Sequence, residues 1–316
     1  MASRDRVRNG DLCKALAVVL AGAAVLPQAA QAGSLSAAAS VDPLLSLCLA
    51  TGSPVDPRTL WHSWSLAPEI VVPLLAALGL YLKALARRGP GLRAGRSHCF
   101  LAGWAALAIA LVSPLCRAAA NLACAHMIQH MLVTAVAPPL LVLGWRSMPP
   151  ASSRARRWLP VPRQENGRAV LAGGLYVGVI WTAHLPLVYE GALRSPVVHL
   201  LLLAALLLVS LLFWAAVIGP PRGPAREGSS RGGTGILLCV FAVLQTGMLG
   251  ALLVVSDQLW YPIYASRAPL WGLSPIEDQQ LAGLVMWVAM DAIFLATALM
   301  LLGRLLAPAE ASRPAG

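Results

Sequence analysis

Residues 196–218 read PVVHLLLLAALLLVSLLFWAAVI, with no Asp, Glu, Lys or Arg, and only His199 and Ser210 polar. An apolar run longer than about 18 residues crosses the hydrocarbon core as a helix. Lipid offers no hydrogen bonds, so every backbone N–H and C=O must be satisfied inside the segment or by its neighbours. A helix of a soluble domain would instead keep a polar face. Outward from this stretch, six more apolar runs follow the same reading: 68–86, 99–116, 123–144, 169–187, 235–255 and 275–302. The whole chain agrees, with 58% hydrophobic and 12% charged residues, against roughly 25% charged in a soluble domain. Its mean hydropathy is +0.70. The expected fold is an all-α integral membrane bundle of about seven transmembrane helices over 68–304, with a tail at 305–316.

Residues 1–32 read as a signal segment, cleaved or retained as a first helix. Arg4, Arg6, Arg8 and Lys14 form a basic start, 15–26 a short apolar core, and Ala30-Gln31-Ala32 a small-residue cleavage pattern. Residues 33–67 then form an external segment. The net charge of +11 reflects topology. One set of loops and the C-terminal tail hold Lys83, Arg87, Arg88, Arg93, Arg96, Arg146, Arg154, Arg156, Arg157, Arg163, Arg168, Arg222, Arg226, Arg231, Arg304 and Arg313. The other side holds only Arg58, Arg117, Arg194 and Arg267. Cytoplasmic loops are the Lys- and Arg-rich ones, so the mature N-terminus is expected outside and the C-terminus in the cytoplasm. Nucleic acid is not an expected partner.

Aromatic residues collect on the external side: Trp61, Trp64, Tyr189, Trp260, Tyr261, Tyr264 and Trp271. They read as an interfacial belt, with the long loop 256–274 able to cap a site. Ser274, Pro275 and Glu277 form the start of the last helix as N-cap, first residue and capping-box partner, which puts Asp278 in its first turn.

Five of the six histidines fall on that same side. His126 and His130 share a helix face, Met127 and Met131 repeat their spacing on the adjoining strip, and His184 and His199 flank a short turn. Ionisable groups inside a bilayer face the bundle interior or a cavity. Imidazole with thioether suits copper, in its reduced form. The expected metal site is therefore His126, His130, His184 and His199, with Met127 or Met131 as thioether ligand and Asp278 orienting a histidine or attracting the cation. Met286 and Met290 suit packing better than ligation. Cys116 and Cys124 allow three readings: a disulfide, copper thiolates, or buried thiols. Pro138-Pro139 deprives the carbonyls of Thr134 and Ala135 of their usual donors. Asp291, deep in the last span, reads as a proton or cation relay, or as the partner of a Trp or Thr.

At these residues the sequence resembles the bacterial CtaG-type cytochrome c oxidase assembly factors with a polytopic fold. The similar stretches are Ser113-Pro114-Leu115, His126-Met127-Ile128-Gln129-His130-Met131-Leu132 and Pro138-Pro139-Leu140-Leu141-Val142-Leu143-Gly144. They continue with Trp181-Thr182-Ala183-His184-Leu185-Pro186, Tyr189, Pro196 and His199, then Asp278-Gln279-Gln280-Leu281-Ala282-Gly283 with Met286-Trp287. The resemblance implies a role in maturation of haem–copper oxidases at the bacterial cell membrane. It also implies Cu(I) delivery to the oxidase catalytic subunit, with other assembly or copper-donor proteins as partners, and no enzymatic activity. In the family pattern a further histidine follows His199 by about a turn; here Leu202 and Leu203 occupy that region. Two other readings compete. A membrane redox protein would hold b-type haem between facing histidines, visible as a Soret band. A copper importer would need polar groups in the inner half of the bundle, where Asp291 stands nearly alone.

The charge asymmetry makes one direct prediction. Alkaline phosphatase fused to the C-terminus is expected to be inactive, and phosphatase activity from that fusion overturns the orientation.

Overall fold

The computed structural model describes residues 46–52, 54–86, 97–145, 165–218 and 225–306. The expected signal segment, the beginning of the external segment, most of the counted arginine loops and the end of the tail lie outside the described residues. In chain order the helices are α1 Pro68–Ala86, α2 Ser97–Val112, α3 Pro114–Ala119, α4 Ala123–Trp145, α5 Glu165–His184, α6 Pro186–Arg194, α7 Pro196–Ile218, α8 Ala225–Val255 and α9 Pro275–Leu306. Among the described residues there is no strand. Five of the seven expected apolar runs each fall within one helix, and the runs at 99–116 and 169–187 are each split between two. By length and composition, five can cross a membrane (α1, α4, α7, α8 and α9), or six if α5 and α6 count as one bent span. The chain is thus an all-helical, multi-pass membrane protein.

Two prolines account for the difference from the expected spans. The run at 99–116 breaks because Ser113 precedes Pro114 and is extended (φ −74°, ψ 172°), ending α2 after 16 residues. Ser113 Oγ then accepts the Leu115 N–H at 3.2 Å, starting α3. Leu185, before Pro186, is extended in the same way, so the run at 169–187 stops at His184. The chain bends by 74° between α5 and α6. What reads as a short turn between His184 and His199 is therefore a nine-residue helix.

Pro138 and Pro139 are absorbed without ending α4. A π turn spans Leu132–Val136, closed by the Ala137 N–H on the Leu132 carbonyl. The deprived Thr134 carbonyl accepts the indole N–H of Trp214 from α7 at 3.0 Å. A second π turn, Val285–Met290, interrupts α9 just before Asp291. At the start of α9 the expected capping box is formed: Ser274 N–H donates to Glu277 Oε2 at 2.8 Å, and Glu277 N–H to Ser274 Oγ at 3.3 Å.

Helices α4, α5, α7, α8 and α9 enclose the main core. At its centre Tyr176 stacks on Phe213 with ring centroids 4.4 Å apart, and Trp214 stacks on Phe294 at 5.4 Å. Met286 and Met290 are buried in this core. Helix α2 packs on the second half of α4, while α1 touches α2 and is otherwise largely exposed. Leucines such as Leu80, Leu208, Leu244 and Leu299 face outward, as lipid permits. The α8–α9 crossing is close because it is made of glycine. A Cβ on Gly250 would lie 2.8 Å from the Gly283 carbonyl oxygen, and one on Gly283 would lie 2.6 Å from that of Gly250.

One end of the bundle is covered by residues 46–66. Cys48 is disulfide-bonded to Cys116, with Cα atoms 5.6 Å apart. This replaces the pairing of Cys116 with Cys124, which is a free thiol at the start of α4. Arg117 donates to the carbonyls of Ser46 and Leu47. Arg267, from the 256–274 loop, donates to the Ala50 and Gly52 carbonyls and to Asn121 Oδ1.

Replacing Gly250 or Gly283 with Ala should therefore push α8 and α9 apart, lowering stability by about 1–3 kcal/mol. Gly178→Ala, where a Cβ would meet nothing within 4 Å, should be neutral. Thermal melting of the purified protein in detergent checks both.

Candidate metal-binding cavity

The buried carboxylate of Asp278 sets the position of the first two histidines. Helix α4 begins after Leu122 with no side-chain cap of its own. Its first two free N–H groups go to the last helix instead: Ala123 N–H donates to Asp278 Oδ2 at 2.7 Å, and Cys124 N–H to Oδ1 at 3.0 Å. A carboxylate there matches both the orphan amides and the positive end of the helix dipole. Asp278 thus acts on the histidines by capping their helix. Both of its oxygens accept from α4, where the sequence suggested a group that orients a histidine or attracts a cation.

Along α4 this start brings His126, Gln129 and His130 to one cavity of about 50 Å³, together with His184, Tyr189 and His199. The four expected histidines are therefore neighbours. His130 and His184 lie edge to face with ring centroids 5.2 Å apart, and His126 packs on Tyr189 at 4.7 Å. Leu202 and Leu203, standing where the family pattern has a further histidine, line the same cavity. Met127 is buried in the main core and Met131 packs against it; neither lines the cavity. His62 and His98 are exposed elsewhere.

The polar inventory of this cavity is incomplete. His184 Nδ1–H donates to the Ile180 carbonyl at 2.8 Å, which leaves Nε2 with a free lone pair. That Nε2 is buried without a hydrogen-bond partner, as are His130 Nε2 and His126 Nδ1. Buried polar atoms are normally satisfied, so three orphan imidazole nitrogens around one small space fit a site for an ion or for ordered water. Two imidazoles on one tetrahedral ion have centroids roughly 5 Å apart, which the His130–His184 spacing allows. Among the described residues, no three His, Cys, Asp or Glu side chains stand close enough to hold a metal ion as they are.

A tyrosine cover lies over His126 and His184. Tyr189 of α6 stacks on Tyr261 with centroids 3.9 Å apart. Tyr261 OH donates to the His184 carbonyl at 2.9 Å, and Tyr264 OH to that of Ala119 at 3.0 Å. With its own hydrogen so used, Tyr264 accepts from Tyr189 OH at 3.1 Å. Burial raises the pKa values of Tyr261 and Tyr264 above their ordinary value, so both stay neutral hydrogen-bond donors near pH 7. Tyr189, Tyr261 and Tyr264 are buried, whereas Trp61 and Trp64 are exposed. Only the latter suit an interfacial belt. Gln129, which donates to the Ala110 carbonyl at 2.8 Å, and Tyr189 are cavity residues that the sequence reading did not assign. Their only signal was one helical turn from a histidine and a place in the 256–274 loop's contact zone.

Fold and cavity together define a multi-pass membrane protein with a buried histidine cluster beneath a tyrosine cover. Residues 76–307 match the model of the cytochrome c oxidase caa3 assembly factor family (Caa3_CtaG), and the chain belongs to this family. It is also 30% identical over 246 residues to the uncharacterized proteins Mb0105 of Mycobacterium bovis and MT0111 of Mycobacterium tuberculosis, covering 72% of this chain. The match spans 37% of the length of those relatives. No solved structure matches.

Asp278→Ala leaves two buried amides at the head of α4 unpaired and should cost about 1–3 kcal/mol of stability. Thermal melting measures this. An unchanged melting temperature would mean that α4 is capped by other means.

Proposed function

We propose that this chain binds Cu(I) in the four-histidine cavity and passes it to the copper centre of a haem–copper oxidase catalytic subunit. The observation that carries this reading is the set of three unpartnered imidazole nitrogens around one small cavity, in a member of an oxidase assembly family. Imidazole ligands suit copper, and a site that must rearrange to close on its ion suits a protein that gives the ion away. His126, His130, His184 and His199 hold the cargo; Asp278 and Tyr261 position the backbone that carries them. Met127 and Met131 stay with the core. The protein acts as a carrier and not as an enzyme.

Its place is the bacterial plasma membrane, with seven crossings once α2 and the α5–α6 pair are counted. The cavity end faces outward and the C-terminus faces the cytoplasm. The Cys48–Cys116 disulfide supports this, since such bonds persist in oxidising compartments. Haem is the weaker reading: about 50 Å³ falls far below the roughly 300–1,000 Å³ of pockets that enclose larger ligands. Import is weaker too, because Asp291, at the middle of α9, is engaged by Thr246 at 2.8 Å.

Deleting the gene should lower haem–copper oxidase activity at low copper and leave copper-free quinol oxidases intact. The His126→Ala/His130→Ala double variant should lose bound copper and oxidase maturation together, with protein still present in the membrane. His98→Ala should change neither. Normal oxidase activity in the deletion strain at low copper would overturn the proposal.

A further inference from the structure

Asp291 stands at the middle of the 32-residue α9, directly after its π turn. Thr246 Oγ1–H donates to Asp291 Oδ1 at 2.8 Å. Oδ2 lies against Gly247, where a Cβ would sit 2.7 Å from it. Both oxygens thus lie on α8, while Asp291 as a residue is half-buried. It borders an outward-facing stripe of α9 in which Leu284, Val288, Leu295 and Leu299 are 42%, 64%, 55% and 58% exposed. The stripe's spacing of three and four residues is that of a helix-packing seam. An acid at mid-depth in a membrane helix belongs in a bundle interior or opposite a partner, and this one has a single hydroxyl bonded to it and stands at the edge of an exposed apolar stripe.

We infer that the α9 face around Asp291 docks a transmembrane helix of another protein that presents a basic side chain at mid-membrane depth. Charge complementarity selects this occupant over a second copy of the chain. Among the described spans, Lys83, Arg168, Arg194 and Arg304 lie in the first or last turn of their helices, and Arg226 and Arg231 in the first two turns of α8, before its apolar stretch Gly232–Val255. A symmetric contact would set Asp291 against Asp291. The inference does not depend on what the histidine cavity carries.

The test uses the full chain, fluorescently labelled in lipid vesicles, with single-span Leu/Ala peptides whose central residue is Lys, Leu or Glu. Energy transfer should report association of the Lys peptide, roughly tenfold or more tighter than that of the Leu or Glu peptide. Asp291→Asn, which keeps an oxygen for Thr246, should remove that preference. The peptide series on the native chain keeps the test valid if the variant folds poorly. Equal binding of the Lys and Leu peptides, no binding of any peptide, or a dimer of the chain that Asp291→Asn abolishes would each overturn the inference.

Discussion

A backbone that crosses lipid has no water to satisfy its polar groups, and much of this structure follows from that constraint. At two places where the chain breaks regular helix, the freed backbone groups are taken up by a side chain from another helix. The free amides at the head of α4 go to Asp278, from a helix 155 residues later in the chain. The carbonyl freed by Pro138 goes to the Trp214 indole. The extended residues before Pro114 and Pro186 fall at helix ends, where a break is tolerated, and the second of them turns α6 across the bundle. These repairs join α4 to α7 and α9, the helices that shape the cavity and its surroundings.

The cavity differs from these repairs. Other buried polar atoms without partners among the described residues stand singly, whereas three imidazole nitrogens share one small space. The leucines around them raise the free energy of leaving those nitrogens bare. The tyrosine cover ties His184's backbone to the 256–274 loop, and Arg267 ties that loop to the disulfide-bonded N-terminal segment.

Much of this was legible in the sequence because apolar length and histidine spacing are local signals. Five of the seven apolar runs fall within single helices, the capping box of α9 is formed as read, and the four histidines share one cavity. Span ends were misplaced at 113–116 and 185–187, where proline geometry overrides hydropathy. The Cys48–Cys116 pair was missed because 68 residues separate the partners. The cap that Asp278 supplies was not legible for a similar reason: the sequence puts it in the first turn of α9 but does not show that a helix 155 residues earlier begins against it. Tyr261 and Tyr264 looked interfacial because composition does not reveal whether a loop folds inward.

X-ray absorption at the copper edge of the purified protein, loaded with Cu(I), tests the central claim most directly. The account predicts a first shell of imidazole nitrogens near roughly 2.0 Å, with their outer-ring scattering lost in the His126→Ala/His130→Ala variant. A sulfur-only shell, or a spectrum unchanged by that variant, would contradict it.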